Sequence, residues 1–256
     1  MDTKVVVVTH KEYQMPKEDI YVPVCVGVGV EKLKDKYQPD NQGENISDKN
    51  PMYCELTALY WAWKNLKCEV FGLVHYRRHL TLSKKGKELK DVLTEKEITE
   101  LLKKHDVIVA KRRTYPETVK QHYIKCQKGQ AQKAERRIGL LGEVIHELSP
   151  EYAECFHKVM NGHQAHMFNI FIMKKADADA FCEWMFQILF ETEKRILAEE
   201  VQYERQMGEL SEFLLDVWMK TNNKKWYEAR VIQYGYSFYH KVRFVVCRRL
   251  FGKIVK

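Results

Sequence analysis

Five consecutive side chains after an apolar run combine the groups that bind and protonate an anion. The stretch VFGLVHYRRHL contains these five residues, which are His75, Tyr76, Arg77, Arg78 and His79. Two adjacent guanidiniums suit a diphosphate, because each can bind phosphate oxygens through paired N–H groups. A histidine beside them adds a hydrogen-bond donor or a proton-transfer group. The motif therefore indicates an anion site, for which a diphosphate is a well-matched ligand.

Two other interpretations of this motif stay open from the residues alone. His75 and His79 have the i, i+4 spacing of a zinc pair on a helix, but they follow a strand pattern and have no acidic third ligand nearby. Alternatively, the two arginines form salt bridges within the fold while Tyr76 packs against it. The concentration of five such residues at one strand end favours a binding site over both.

A second polar cluster lies where another apolar run begins, at residues 161–173 (NGHQAHMFNIFIM). Its candidate site residues are His163, His166 and Asn169. Polar groups that enter a buried strand need specific partners. These side chains are therefore candidates for binding or catalysis.

A third cluster, ERQMGELSEFLLDVW at residues 204–218, contains Ser211 and Glu212 at the predicted start of a helix. Glu212 has two interpretations. As a first-turn acid it would be stabilised by the helix dipole. As a carboxylate that points into a cleft it would serve as a general base. The residue types alone do not decide between them.

Composition and charge limit the class of protein. The chain has 256 residues, of which 45% are apolar and 12% aromatic, as in a packed domain. Its net charge of +8 favours anionic partners. Seven scattered cysteines without a CxxC motif indicate reduced thiols. Neither a signal-peptide core nor an apolar run of ~20 residues is present, so we expect a cytoplasmic protein.

Strand and helix patterns alternate along the chain. The predicted strands are residues 5–8, 70–74, 106–110 and 167–173. The predicted helices are residues 51–66, 177–200 and 209–220, and a TEKE capping box begins another at Thr94. This alternation predicts an α/β fold with a mainly parallel central sheet flanked by helices. Ligands of such sheets bind beyond the carboxyl ends of the strands, which is where the HYRR motif lies.

Two loop features are ambiguous. Gly27-Val28-Gly29 is a weak phosphate-loop signal, and a bend or a close backbone approach explains it better. The polar loop at residues 34–50 carries Asn41, Asn45 and Asn50. These asparagines either shape a ligand pocket or cap the loop.

The C-terminal residues 236–256 contain six basic and no acidic side chains, interleaved with apolar ones. This composition suits an anionic membrane surface. A terminal element covered by a partner explains it equally well. We therefore predict a basic C-terminal extension at residues 221–256.

Several of these segments, taken in order, resemble one bacterial family: the capsular and lipopolysaccharide galactofuranosyltransferase-like proteins, a domain of unknown function from exopolysaccharide clusters. The matching segments are THK at 9–11, DNQGENISDKNPMYCELTALYWAWKN at 40–65, GLVHYRRHL at 72–80, HMFNIFIMKK at 166–175 and RQMGELSEFLLDVW at 205–218. The family usually carries Tyr at the position of His79.

The resemblance implies a GT-A-like glycosyltransferase fold. It implies one catalytic domain over residues 1–220, with a nucleotide-sugar half at about 1–110 and an acceptor half at about 111–220. The implied reaction is inverting transfer of galactofuranose from UDP-galactofuranose to a lipid-linked glycan. The product would belong to capsule, exopolysaccharide or O-antigen, and the enzyme would work at the inner face of the cytoplasmic membrane without nucleic acid as a partner.

The resemblance also implies which residues bind the donor, which bind the acceptor and which acts as general base. The expected donor-binding residues are Thr9, His10, Asn45, His75, Tyr76, Arg77, Arg78 and Asn169. The expected acceptor-binding residues are His163, Arg205 and Ser211. Glu212 is the expected general base, and His166 is the second candidate for that role.

Many GT-A enzymes hold a divalent metal with an Asp-x-Asp motif at a central strand end. This chain has its single Asp-x-Asp at Asp177 to Asp179, in a predicted helix. We therefore do not expect a Mn²⁺ or Mg²⁺ cofactor. The hypothesis is that Arg77, Arg78 and His75 neutralise the diphosphate instead.

Two alternatives to this function remain. A basic nucleic-acid-binding or membrane scaffold protein would explain the net charge and the basic run at residues 111–137, but not the specific HYRR segment. A transferase that uses another nucleotide sugar would fit every motif.

Overall fold

A computed structural model describes residues 1–127 and 129–234 of the chain. The predicted membrane contact of residues 236–256 falls outside these ranges. Among the described helices, none is both long and apolar enough to cross a bilayer.

The elements alternate as the sequence patterns indicate. The strands are β1 (Thr3–Thr9), β2 (Tyr21–Cys25), β3 (Gln38–Pro39), β4 (Val70–His75), β5 (Arg78–Thr81), β6 (Val107–Ala110), β7 (Arg113–Thr114), β8 (Gln164–Ala165), β9 (Phe171–Lys174) and β10 (Trp226–Gln233). The helices are α1 (Val30–Leu33), α2 (Asn50–Tyr53), α3 (Leu56–Asn65), α4 (Glu95–Leu102), α5 (Val119–Cys126), α6 (Ala131–Leu148), α7 (Pro150–Asn161), α8 (Lys175–Ala198), α9 (Gln206–Ser211) and α10 (Leu214–Thr221).

Eight strands form one mixed sheet in the order β3-β2-β1-β4-β5-β10-β6-β9, and β7 pairs with β8 separately. Pairing is parallel from β3 to β4 and between β10 and β6, and antiparallel in the remaining pairs of this sheet. The β4–β5 connection consists of only Tyr76 and Arg77, which is too short for a parallel crossover. The predicted α/β fold with a helix-flanked central sheet is confirmed. The sheet is mixed, since among the described residues four of its eight strand pairings are parallel, three of them in its N-terminal half, and four are antiparallel.

Strand β9 also pairs with β4, and this second pairing closes part of the sheet on itself. The closed ring runs β4-β5-β10-β6-β9 and returns to β4. Strand β10 lies inside this ring, between β5 and β6. The predicted C-terminal extension from residue 221 therefore contains a strand of the central sheet, and the folded domain continues to at least Gln233.

Apolar layers cover both faces of the sheet. Val5 and Val7 of β1 contribute to one buried cluster, with residues of α4, and Val6 and Val8 contribute to the other, with residues of α3, α6, α7, α8 and α10. Successive strand side chains point to opposite faces, so a strand covered on both sides must be apolar throughout. This explains the unbroken valine run.

Three predicted elements are interrupted at positions that concern the site. The helix predicted at 51–66 is two helices, because Cys54 between α2 and α3 has a φ of 52°. The helix predicted at 209–220 breaks between α9 and α10 at Glu212 and Phe213. The strand predicted at 167–173 begins only at Phe171. The capping box at Thr94 is confirmed, since its hydroxyl accepts a hydrogen bond from the backbone N–H of Glu97 at 3.2 Å.

Candidate active site

The HYRR motif lies at the carboxyl edge of the parallel half of the sheet, as predicted. Strands β1 and β4 are parallel neighbours, with Val8 opposite His75. The residues that follow them therefore meet. The His10 ring lies edge-on to the Tyr76 ring, with 5.4 Å between centroids. The Arg77 guanidinium lies 5.1 Å from the same ring.

Four basic residues from three segments gather at this edge, and we call them the cationic rim: His10, Lys11, Arg77 and Arg205. Burial lowers the pKa of His10, and the positive charges of Lys11, Arg77 and Arg205 lower it further. Arg205 was expected to bind the acceptor. The structure places it at the N-cap of α9 with its charge acting on His10, a predicted donor-side residue.

Phe168 and Asn169 form a left-handed turn before β9, with φ values of 79° and 53°. Asn tolerates this conformation better than other non-glycine residues, whereas Phe rarely adopts it. The turn is held by His75, whose Nε2–H donates to the carbonyl of Phe168 at 2.7 Å. Burial lowers the pKa of His75, which keeps its ring neutral. His75 therefore positions the turn.

The zinc interpretation of His75 and His79 is not supported. The Nε2 of His75 is occupied by the Phe168 carbonyl, and the buried His79 ring faces the Tyr76 carbonyl, with burial lowering its pKa to about 4. In the described ranges, no three His, Cys, Asp or Glu side chains are grouped to hold a metal.

The two aspartates of the Asp-x-Asp motif do not lie where a GT-A enzyme would hold its metal. Asp177 and Asp179 lie at the start of α8, where they pair with Lys224 and Lys175. They are therefore engaged with lysines on a helix and do not form a metal site at the strand end.

Asn169 connects the turn to two other segments. Its Nδ2 donates to Glu55 Oε1 at 2.9 Å, to Ser211 Oγ at 2.9 Å and to the Gly208 carbonyl at 3.3 Å. Ser211 is fully buried, and its hydroxyl donates to Gly208 O at 2.9 Å. Ser211, expected to bind the acceptor, instead joins α9 to the turn.

Glu212 follows the last residue of α9, so the first-turn interpretation is wrong. It occupies the C-cap of that helix, where the helix dipole does not favour a carboxylate. Burial raises its pKa to about 8, and the negative charges of Glu55 and Glu209 contribute. Arg113 and Arg78 act in the opposite direction. Glu212 is therefore largely protonated at neutral pH, beside two arginines.

Those two arginines share one aromatic ring. The Arg78 guanidinium lies 4.1 Å from the centroid of Phe168, and the Arg113 guanidinium lies 4.4 Å from it. Arg78 belongs to the predicted motif, but Arg77 beside it points to Tyr76 and Tyr13. The two consecutive arginines of the motif therefore diverge, and Arg113 takes the place beside Arg78.

His166 and His163 have partners or surroundings other than Glu212 and the charged residues beside it. The His166 side chain is 1% exposed, with Nδ1 2.8 Å from Asp216 Oδ1 and Nε2 3.3 Å from Glu228 Oε1. It joins α10 to β10 and is not open to a substrate. His163 is exposed, and its backbone carbonyl accepts the N–H of Tyr115 at 2.8 Å.

The remaining donor candidates have local partners. Thr9 is buried, and its hydroxyl donates to the Lys11 carbonyl at 2.6 Å. Asn45 caps its loop, since Nδ2 donates to Gly43 O at 2.8 Å and Oδ1 accepts from Ser47 N–H at 3.1 Å. The loop-capping interpretation therefore accounts for Asn45.

The Gly-Val-Gly segment is a close backbone approach. A Cβ on Gly29 would lie 2.7 Å from the Cα of His10. Gly29 therefore allows the backbone of His10 to pack against the segment after β2. Gly27 has a φ of 52°, and a Cβ there would meet Asn50.

Sequence reasoning missed Glu55, Glu209 and Arg113. Glu55 lies within the helix predicted at residues 51–66 without any feature that marks it, and Arg113 is one of many cations in the basic run at 111–137. No local spacing could have joined them, because the Glu55–Asn169 contact spans 114 residues. The available signal was the position of Glu55, a carboxylate that lies between Pro51 at the start of the predicted helix and the strand that carries the HYRR motif.

Comparisons with known proteins agree with this fold. The chain superposes on a solved structure described as the apo form of the WbbM bifunctional glycosyltransferase, with a TM-score of 0.74 and 25% identity. The match covers 90% of this chain and 45% of that one, so the chain spans less than half of its length. No curated protein matches. A family model described as "Domain of unknown function (DUF4422)" matches residues 4–224. This match shows that the chain belongs to the DUF4422 family.

Proposed function

We propose that this protein is a glycosyltransferase that moves a sugar from a nucleotide-sugar donor to a glycan acceptor. The observation that carries the proposal is the protonatable Glu212 beside Arg78 and Arg113, at the carboxyl edge of a GT-A-like sheet. The structural likeness to a bifunctional glycosyltransferase supports it.

The donor's diphosphate binds at the carboxyl edge of the sheet, beside the cationic rim. Arg78 contacts the diphosphate, and Arg77, which points to Tyr13 and Tyr76, adds positive charge at the same edge. His75 contributes by fixing the Phe168–Asn169 turn, whose Phe168 ring lies 4.1 Å from the Arg78 guanidinium. When the sugar–phosphate bond breaks, negative charge builds up on the leaving nucleoside diphosphate. Fixed cations stabilise that charge without reorganisation.

Removal of divalent metal should leave activity intact. The reason is that arginines occupy the strand end, and the described residues group no three His, Cys, Asp or Glu side chains that could hold a metal. The measurement is nucleotide release by EDTA-treated and by untreated protein, each with and without added Mn²⁺ or Mg²⁺. Activity that returns only with added metal would contradict this mechanism.

Glu212 is the general base. Its carboxylate removes the proton from the acceptor hydroxyl as that oxygen attacks the anomeric carbon and the bond to the diphosphate breaks. A single displacement of this kind inverts the anomeric configuration. A pKa of about 8 makes the carboxylate a stronger base than an ordinary glutamate.

The pH dependence of the reaction follows from this pKa. A general base works deprotonated, so kcat/KM should rise about tenfold per pH unit below about 8 and become constant above it. The measurement is initial rate at low donor concentration across this range, with a melting curve at each pH to confirm folding. A profile that is already flat near pH 6 would exclude Glu212 in this state as the base.

The substrates we propose are UDP-galactofuranose as donor and a lipid-linked glycan of capsule, exopolysaccharide or O-antigen as acceptor. The enzyme would work peripherally at the inner face of the cytoplasmic membrane. The motif resemblance supports this choice. Nucleotide release across a panel of nucleotide sugars, with and without a lipid-linked acceptor, tests it. Acceptor-dependent release from a different donor would replace the sugar, and no release from any donor would overturn the proposed function.

A further inference from the structure

We propose that Arg113 binds the donor's diphosphate together with Arg78, and that the ring of Phe168 holds both guanidiniums in place. This inference rests on the proposed function and adds a residue to its donor site. It makes Arg78 and Arg113, rather than Arg77 and Arg78, the pair that distinguishes a diphosphate from a monophosphate.

Main-chain pairing brings Arg113 to the turn. Strand β7 pairs with β8 in antiparallel fashion, and Arg113 lies opposite Ala165. Ala165 precedes Phe168 by three residues. On the other side, Arg78 begins β5 directly after the tight turn of the motif. Two segments 35 residues apart are thus directed to one aromatic ring that neither of them contains.

Both guanidiniums lie over the Phe168 ring, at 4.1 Å and 4.4 Å from its centroid. A cation–π contact of this kind does not itself use the N–H groups of a guanidinium as hydrogen-bond donors. The Nε of Arg78 is buried and has no hydrogen-bond partner among the described residues. Burial raises the pKa of the Tyr115 hydroxyl, and the positive charge of Arg113 opposes that shift. The Arg113 guanidinium is therefore near Tyr115 as well as Phe168. Both arginines are half-buried as residues, so part of each remains open to a ligand.

Within the described ranges, Arg78 and Arg113 have no carboxylate at ion-pair distance. Their neighbour Arg112 differs, because its Nε lies 2.5 Å from Glu228 Oε1. Half-buried arginines without a counterion are costly unless an anion joins them. Arg112 has its anion in the fold. Arg78 and Arg113 have only the largely protonated Glu212 nearby, so both remain able to bind an anion from a ligand.

A diphosphate matches the pair better than a single anion does. The two guanidiniums cannot be further apart than the sum of their distances to the ring, 4.1 Å and 4.4 Å. Two linked phosphates can therefore place one charged group at each. A nucleoside monophosphate has one phosphate and cannot place a separate charged group at each guanidinium.

The test is calorimetric binding of UDP and UMP to the full chain. Three proteins are compared: wild type, Arg113→Gln and the control Arg112→Gln, which removes the same charge one residue away. For Arg113→Gln we expect UDP affinity to fall by at least about tenfold and UMP affinity by less than about threefold. Arg112→Gln should change both by less than about threefold. Melting temperatures and circular dichroism of all three confirm folding.

Each other outcome overturns a stated part. Wild-type UDP binding with an unchanged Arg113→Gln variant overturns the inference and leaves the proposed function standing. Equal losses for UDP and UMP overturn the diphosphate assignment. Equal losses in the Arg112→Gln control reduce the effect to net charge and also overturn it. Wild-type protein that binds neither nucleotide overturns the proposed function together with the inference.

Discussion

Glu212→Gln should lower kcat by about 10²–10⁴-fold, because the amide cannot accept the proton of the acceptor hydroxyl. UDP affinity should change little. Since the pKa of Glu212 is about 8, the wild-type side chain is already neutral at pH 7, and glutamine reproduces that neutral form in shape and charge. Single-turnover rates and UDP calorimetry on the same samples separate these two effects.

Glu209→Gln provides a matched control from the same helix. Glu209 accepts a hydrogen bond from Gln127 Nε2 at 2.5 Å, and its charge helps to raise the pKa of Glu212. Its removal should therefore preserve turnover at high pH and shift the midpoint of the kcat/KM profile to lower pH. Equal losses of turnover in Glu209→Gln and Glu212→Gln would mean that general damage to α9 explains both. Normal turnover in Glu212→Gln would remove Glu212 from the mechanism.

Asn169→Asp should destabilise the protein by about 3–5 kcal/mol and remove most activity, because it buries an unpaired charge. The wild-type amide donates to Glu55, Ser211 and Gly208. An aspartate at this position loses both N–H donors and confronts the Glu55 carboxylate. Burial and repulsion raise the pKa of the new side chain, so part of the lost stability should return as the pH falls and the side chain gains a proton.

Urea unfolding at two pH values, with turnover measured in parallel, tests this expectation. Asn45→Asp is the control, since it makes the same chemical change on a surface loop. That control should cost less than about 1 kcal/mol. If Asn169→Asp were equally mild, Asn169 would not be the connection between the turn, Glu55 and α9.

The parts of the site that were predictable are contiguous in sequence. The HYRR motif follows a β-branched run, and parallel strands end at a common edge, so its position could be inferred from local pattern alone. The Glu55–Asn169–Ser211 network could not, because its members are far apart in sequence and meet only through tertiary contacts. The buried pairing of His166 with Asp216 was hidden for the same reason.

Backbone conformation caused most of the remaining errors. The apolar pattern at 167–173 is that of a strand, but Phe168 and Asn169 adopt positive φ, and hydrophobic periodicity does not report the sign of φ. Cys54 breaks the predicted helix at 51–66 in the same way. Both breaks lie in the candidate site, where strained backbone is most often retained.

The strand ring has a consequence for how the protein is made. Strand β10 lies between β5 and β6, although it is encoded after every other strand of the ring. During translation, the edges of β5 and β6 that pair with β10 therefore stay unpaired until residues 226–233 leave the ribosome. Open edges attract other chains. Arg78, which begins β5, also reaches its final support only at that stage. The nascent chain is thus both aggregation-prone and without a finished candidate site until synthesis of the domain is nearly complete.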